Sequence, residues 1–344
     1  MSNQLDTKGF LKLSKRWIGI VLGLVFLFLA IRKTDLDKTF SLIKNVSLLP
    51  ILFIVSLRIL ALLIRGFRWR TVLEHVKKIS PVTVFRISSI GEMGNYLLPA
   101  RIGELMRIFI ISKKENISKS ATLASVFVDR FLDLLTVLTL LLLFSIFVSL
   151  PKLIKEVSYI ALFVFTIMII SCFVLFLTKN RINRLIQAIL SSYPALSLRL
   201  NEFVHRFTFS LNSLRNSYQI IRAIFISFFL WSIHILSFHL VLVALNLELP
   251  WYASVITVAT IGLGMTIPST PGFVGTYEFF CVSILTIFSI DKSLALACAI
   301  ISHGLQYIVI ISVGLLCYFW ENIQLNKISL IRTKKMLIKS YNLD

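Results

Sequence analysis

The sequence predicts an all-α polytopic membrane protein with about six full transmembrane helices and two oppositely oriented re-entrant helical hairpins, an inverted-repeat-like arrangement. Three observations carry this expectation. Hydrophobic residues make up 57% of the 344, charged residues 15%, and mean hydropathy is +0.87, which is more apolar surface than a soluble domain of this length covers. Two apolar stretches, residues 91–114 and 266–280, are each broken by Pro-x-x-x-Gly, and Pro99 with Gly103 and Pro271 with Gly275 stand 172 residues apart, half the chain. The lysines and arginines cluster in alternate connections between apolar runs.

Taken in order, residues 1–16 are polar and basic (Lys8, Lys12, Lys15, Arg16) and are expected on the cytoplasmic side. The apolar run 17–31 has no small-x-small cleavage site after it, so it is expected to remain as a first helix. Residues 48–64 form the second span, with Arg58 inside it, either snorkelling or facing the bundle. Residues 65–86 carry Arg65, Arg68, Arg70, Lys77, Lys78 and Arg86 and are expected to be a cytoplasmic loop. The first broken stretch follows, and then Lys113, Lys114 and Lys119. Basic residues on both sides imply that the chain enters and leaves on one side, as a hairpin with its tip at 99–103.

Residues 120–150 read as a long helix containing Asp129, Arg130 and Asp133, and 159–177 as a further span. The basic connection 178–219 places apolar residues on one helical face (Leu200, Phe203, Val204, Phe207, Leu211, Leu214), which predicts amphipathic helices lying on the cytoplasmic leaflet. A span at 223–245, the second break within 253–290, a last span at 293–320 and a basic tail at 321–344 complete a single membrane domain over residues 1–344. With this topology 25 of the 36 lysines and arginines lie inside and 7 outside, with Arg58, Arg101, Arg107 and Arg130 within the membrane. Both termini then face the cytoplasm of the cell (inner or plasma) membrane. The two hairpins enter from opposite faces, as in transporters with a central site. A pair of tilted spans at either break is the competing arrangement.

The net charge of +20 is assigned to these loops, and no nucleic-acid partner is expected. Cys172, Cys281, Cys298 and Cys317 all lie in apolar runs without a C-x-x-C pair. The five histidines are scattered, so neither a metal nor another cofactor is expected. The charges fix no oligomeric state, and a homo-oligomer is compatible with them.

The candidate site gathers at the two breaks. Pro99 stops the incoming helix, Gly103 permits close backbone approach, and a new helix begins near Ile102. Free N–H groups at that helix start attract an anion, and Arg101 beside them is suited to a phosphate. Glu104 and Arg107 share a face and are candidates either for the ligand or for each other. Asp129, Arg130 and Asp133 form a second cluster, read either as partners that hold Arg101 and Arg107 or as ligand contacts. At the second break Pro271, Gly272 and Gly275 repeat the chemistry. Glu278 follows as a lone carboxylate able to take a proton, a basic group or a polar headgroup. Asn95, Glu92 and Tyr277 lie at the same depth.

The strings 95–107 (NYLLPARIGELMR), 128–133 (VDRFLD) and 268–278 (PSTPGFVGTYE) resemble the signature motifs of the lysylphosphatidylglycerol synthase transmembrane region. That family includes the flippase half of multiple-peptide-resistance proteins and stand-alone bacterial and archaeal membrane proteins, some linked to polyprenyl-phosphate glycosylation. Asn95, Pro99, Arg101, Gly103, Glu104 and Arg107 match its N-x-x-x-P-x-R-x-G-E-x-x-R string, and Asp129, Arg130 and Asp133 its acidic element. Phe273 replaces the second Gly of the usual P-G-G-x-G-x-x-E, a variant that fits stand-alone members. The resemblance covers roughly residues 15 to 320 and implies the handling of an anionic lipid, either a phospholipid or a polyprenyl-phosphate lipid. The chain ends at Asp344 without the soluble aminoacyltransferase domain of the synthases, so synthase activity is not expected. The expected function is a flippase-like transporter. A membrane glycosyltransferase and a non-catalytic accessory protein are the alternatives.

Overall fold

A computed structural model of the chain describes residues 19–144 and 217–341 (Pro268 excepted), together with isolated positions between 147 and 201. All regular structure among them is helical. The helices are α1 (Gly19–Ile31), α2 (Leu36–Lys44), α3 (Leu48–Leu73), α4 (Pro81–Leu97), α5 (Ile102–Glu115), α6 (Lys119–Phe144), α7 (Ser217–Ala244), α8 (Trp251–Gly264), α9 (Thr276–Leu285) and α10 (Lys292–Tyr341). The expected span at 159–177 and the interfacial helices at 178–219 fall mostly outside the described residues.

Among the described residues, four stretches are long and apolar enough to cross a membrane: Leu48–Leu73, Tyr218–Ala244, Pro271–Phe288 and Lys292–Glu321. Their outward faces carry the apolar bulk. Leu48, Phe225 and Leu316 are each about 70% exposed, whereas Arg68, Arg107 and Asp129 are 0% exposed. A soluble protein has the opposite pattern, so this is a multi-pass membrane protein with a charged interior.

Three boundaries differ from the sequence expectation, the first being that α4 already begins at Pro81, inside the expected loop 65–86. The second span does not end at Ile64 before a basic loop. α3 runs unbroken to Leu73 and carries Arg65, Arg68 and Arg70 within it. The helix continues because α6 supplies counter-charge at that depth: Arg68 bonds Asp129 and Asp133. Likewise α10 continues past the predicted span end to Tyr341.

At both breaks the chain turns between two helices that pack on each other. Pro81 starts α4 at a position where its missing N–H costs nothing. Pro99 forces extended backbone on Leu98 (φ −114°, ψ 145°) and so ends α4. A 3-10 turn, Pro99–Arg101, leads into α5, which folds back onto α4. Gly103 makes that return possible, since a Cβ there would drive into the carbonyl oxygen of Gly91. The second break runs from Gly264 through the turn Pro271–Phe273 to α9, which packs on α8. Gly275 at φ +87° sets the start of α9, and its backbone lies against Gly23 of α1, where a side chain has no room. The two turns pack on each other.

The main apolar core joins α3, α6, α7, α8, α9 and α10 around Trp231, Phe238, Phe280 and Leu285. A smaller cluster ties the halves together: Met93 and Tyr96 of α4, Phe273 of the second turn, and Val309 and Ile310 of α10. Tyr96 meets Phe273 edge-on at 5.7 Å between ring centres.

The tight first hairpin makes a sharp contrast. Gly103→Ala is expected to destabilise by about 1–3 kcal/mol or more through overpacking. Gly304→Ala, with nothing within 4 Å of the added methyl, is expected to be neutral or stabilising by about 0.5–1 kcal/mol. Apparent melting temperatures in detergent check both, and equal shifts would contradict the packing described.

Candidate functional site

Arginines at 58, 65 and 68 recur along one face of α3, at offsets 0, 7 and 10. That face looks toward α6 and the first hairpin. Arg68 donates from Nε to Asp129 at 2.9 Å, and from Nη1 to Asp133 at 2.7 Å and to Ser227 Oγ at 2.9 Å. Arg107 of α5 takes the other oxygen of Asp129 at 3.0 Å, and its guanidinium lies 4.2 Å from the centre of the Trp69 ring. Asp129 is thus held between two fully buried arginines. Arg65 pairs with Glu92 (3.3 Å) and Asp133 (3.5 Å). Arg130 pairs with Glu92 (3.0 Å), Asp133 (3.1 Å) and Glu104. Four arginines (65, 68, 107 and 130) meet four carboxylates (Glu92, Glu104, Asp129 and Asp133), and their charges cancel.

Two arginines stand outside this set. Among the described residues neither Arg58 nor Arg101 has a carboxylate within 4 Å. Arg58 is held by neutral groups: Gln306 Oε1 at 2.8 Å, Ser302 Oγ at 2.9 Å and His234 Nδ1 at 3.3 Å. Arg101 donates to the carbonyl oxygen of Met265, just after α8, and its guanidinium lies 5.4 Å from the centre of the Phe273 ring. Its backbone is left-handed (φ 53°, ψ 40°), an unfavourable conformation for a residue with a side chain. That conformation is what turns the chain into α5. No side chain caps the start of α5.

Both free arginines line a cavity of about 240 Å³. Arg65, Glu92, Arg130 and Asp133 complete its polar wall, and Leu62, Leu134, Val137, Val258, Ile261 and Ile310 its apolar one. The Nε–H groups of Arg58, Arg101 and Arg130 are buried without a partner. A lining that combines spare donors with apolar side chains suits an amphiphilic anion.

The predicted residues distribute as follows. Pro99 and Gly103 build the first turn. Asn95 lines the cavity and donates to Glu104 at 3.3 Å. Glu104 turns chiefly to Arg130, leaving Arg107 at 3.9 Å. The expected partnership of the acidic cluster with Arg101 is absent. Asp129 serves Arg68 and Arg107, because α3 brings its own arginines to α6. Pro271, Gly272 and Gly275 shape the second turn, and Tyr277 reaches the cavity wall.

Glu278 is not a lone carboxylate. One oxygen accepts the Gly275 N–H at 2.6 Å, capping α9, and the other lies 2.6 Å from His303 Nδ1. The other ring nitrogen of His303 lies 2.8 Å from the Gly272 carbonyl oxygen, so the ring staples both sides of the second turn. Tyr277 stacks on that ring at 4.3 Å. Glu278 is not among the cavity-lining residues. Sequence reading missed Arg65, Arg68, His303 and Gln306. The helical spacing of the α3 arginines, and of His303, Gln306, Tyr307 and Ile310 on α10, was the available signal.

The two kinds of charge should behave differently. Asp129→Ala leaves Arg68 and Arg107 buried without their shared partner, and a loss of about 3–5 kcal/mol is expected. Arg101→Ala removes a charge that no carboxylate balances, so the apparent melting temperature is expected to hold or rise. Thermal unfolding of the purified variants checks this, and an equal loss from both would place Arg101 in the structural network.

The comparison with known proteins agrees with the membrane architecture. The family model described as lysylphosphatidylglycerol synthase TM region matches residues 16–314. A UPF0104 membrane protein of Methanocaldococcus jannaschii is 27% identical over 65% of this chain and 92% of its own length. A second from the same organism is 24% identical over 87% of this chain and 93% of its own. Glycosyltransferase AglD of Haloferax volcanii is 23% identical over 73% of this chain, which spans 45% of that protein. With a match that runs through both broken segments and the charged helix between them, this chain belongs to the lysylphosphatidylglycerol synthase TM region family.

Proposed function

We propose that the protein is a lipid transporter of the flippase type, which takes the phosphate of an anionic phospholipid or polyprenyl-phosphate lipid into the cavity between its two broken segments. The observation that carries this reading is the position of Arg101. It lies at the first break, outside the neutralised network, and touches the second break through Met265 and Phe273. A phosphate there meets a cation that needs no ion pair broken, beside the uncapped start of α5. The apolar wall takes the first part of the lipid chain. Movement of one hairpin against the other at their touching turns would expose the cavity to one leaflet and then the other. The reading places the protein in the cell membrane with both termini cytoplasmic.

A second reading, a membrane enzyme acting on polyprenyl-phosphate sugars, draws on the glycosyltransferase name of one relative. Paired acids and arginines around a cavity are compatible with it. Proteoliposomes separate the two. Movement of a labelled anionic lipid between leaflets is expected for the wild type and is expected to fall by about 10–100-fold in Arg101→Ala. Unchanged movement in that variant, with labelled sugar transferred from a polyprenyl-phosphate donor, would favour the enzyme.

A further inference from the structure

The charge around the cavity can be counted. Arg58, Arg65, Arg68, Arg101, Arg107 and Arg130 face Glu92, Glu104, Asp129 and Asp133, which leaves two positive charges. The nearby histidines add none. His234 presents Nδ1 to an Arg58 donor, so that nitrogen carries no proton. His303 has an acceptor at each ring nitrogen, the Glu278 carboxylate and the Gly272 carbonyl oxygen. Glu278 and His303 pair with each other and are not among the residues that line the cavity.

The surplus is localised. It resides on Arg58 and Arg101, the two of these arginines without a carboxylate among the described residues, and both line the same cavity. Arg58 is only 5% exposed and keeps an unpartnered Nε–H. Its other partners, Ser302 and Gln306, link it to Tyr277 (Ser302–Tyr277, 2.7 Å) and to Tyr96 (Gln306–Tyr96, 2.5 Å), so its position is fixed before a ligand arrives. A buried, pre-positioned and uncompensated guanidinium is costly unless a negative group completes it.

We propose that the ligand carries a doubly charged phosphate, a monoester or a diphosphate, and that Arg58 is the second arginine that holds it, opposite Arg101. This rests on reading the cavity as a lipid-phosphate site and narrows its chemistry. A phosphodiester headgroup, with one charge, leaves one guanidinium uncompensated. A lipid monophosphate or diphosphate neutralises both. The apolar wall of Leu62, Leu134, Val137 and Ile310 then receives the adjoining hydrocarbon.

The test uses the full chain in detergent and two probes that differ by one methyl group and one charge: farnesyl phosphate and its methyl diester. Binding at pH about 7.5 is measured by calorimetry. The monoester, mostly dianionic above its second pKa of about 6, is expected to bind about tenfold tighter or more. Arg58→Gln is expected to bring the monoester down to the level of the diester, while Arg58→Lys keeps the preference. In the wild type the preference is expected to shrink as pH falls to about 5, where the phosphate takes up its second proton. That arm holds even if a variant fails to fold. Equal binding of both probes by the wild type, lost in Arg101→Ala, overturns the doubly charged ligand but leaves the lipid-phosphate reading. A preference that survives Arg58→Gln overturns the role of Arg58. Binding of neither probe overturns both readings.

Discussion

The fold depends on one arrangement, a single aspartate shared between two arginines from different elements. Asp129 on α6 receives Arg68 from α3 on one oxygen and Arg107 from α5 on the other, all three fully buried. An isolated charge at this depth is prohibitive, so none of the three helices is stable here alone. Together they fix the first hairpin against the long helices. Asp133, Glu92, Glu104, Arg65 and Arg130 extend the same cancellation outward to the cavity wall. Buried ion pairs add little net stability against apolar packing, but they specify one register, because any slip leaves charges unmatched.

The second hairpin is organised differently. Among the described residues it has no arginine–carboxylate network. A histidine clamps it: His303 reaches the Gly272 carbonyl on one side and Glu278 on the other, with Tyr277 stacked on its face. The two halves are therefore related by their Pro/Gly breaks and not by their chemistry. The charged half carries the arginine–carboxylate network, and the apolar half meets it through Met265 against Arg101 and Phe273 against Tyr96 of α4. Arg101 connects them, and its left-handed backbone at the turn is the strain that places it there.

Much of this was legible in the sequence. The breaks were, because proline and glycine act on the backbone locally, whatever surrounds them. The link between the first hairpin and the Asp129 helix was legible in outline, since charges inside apolar segments must find partners. Its wiring was not. Arg65 and Arg68 look like the start of a basic loop, and only the packing of α3 on α6 shows that their charges are met within the bundle. For the same reason the sequence offers Arg101 as well as Arg107 as partners of the Asp129–Asp133 cluster, whereas Arg68 takes the place of Arg101. The Glu278–His303 pair spans 25 residues and two helices, and it depends on how α9 lies against α10. No local pattern encodes that.

The central claim is that Arg101 and the cavity beside it hold a phosphate-bearing lipid. Native mass spectrometry of the protein extracted directly from its membrane tests this without assuming a transport direction or a substrate. The wild type is expected to retain a lipid whose fragmentation yields a phosphate ion, and Arg101→Ala, folded to the same degree, is expected to have lost it. A wild type that carries no phosphate-bearing lipid, or a variant that retains the same lipid at the same occupancy, would contradict the claim.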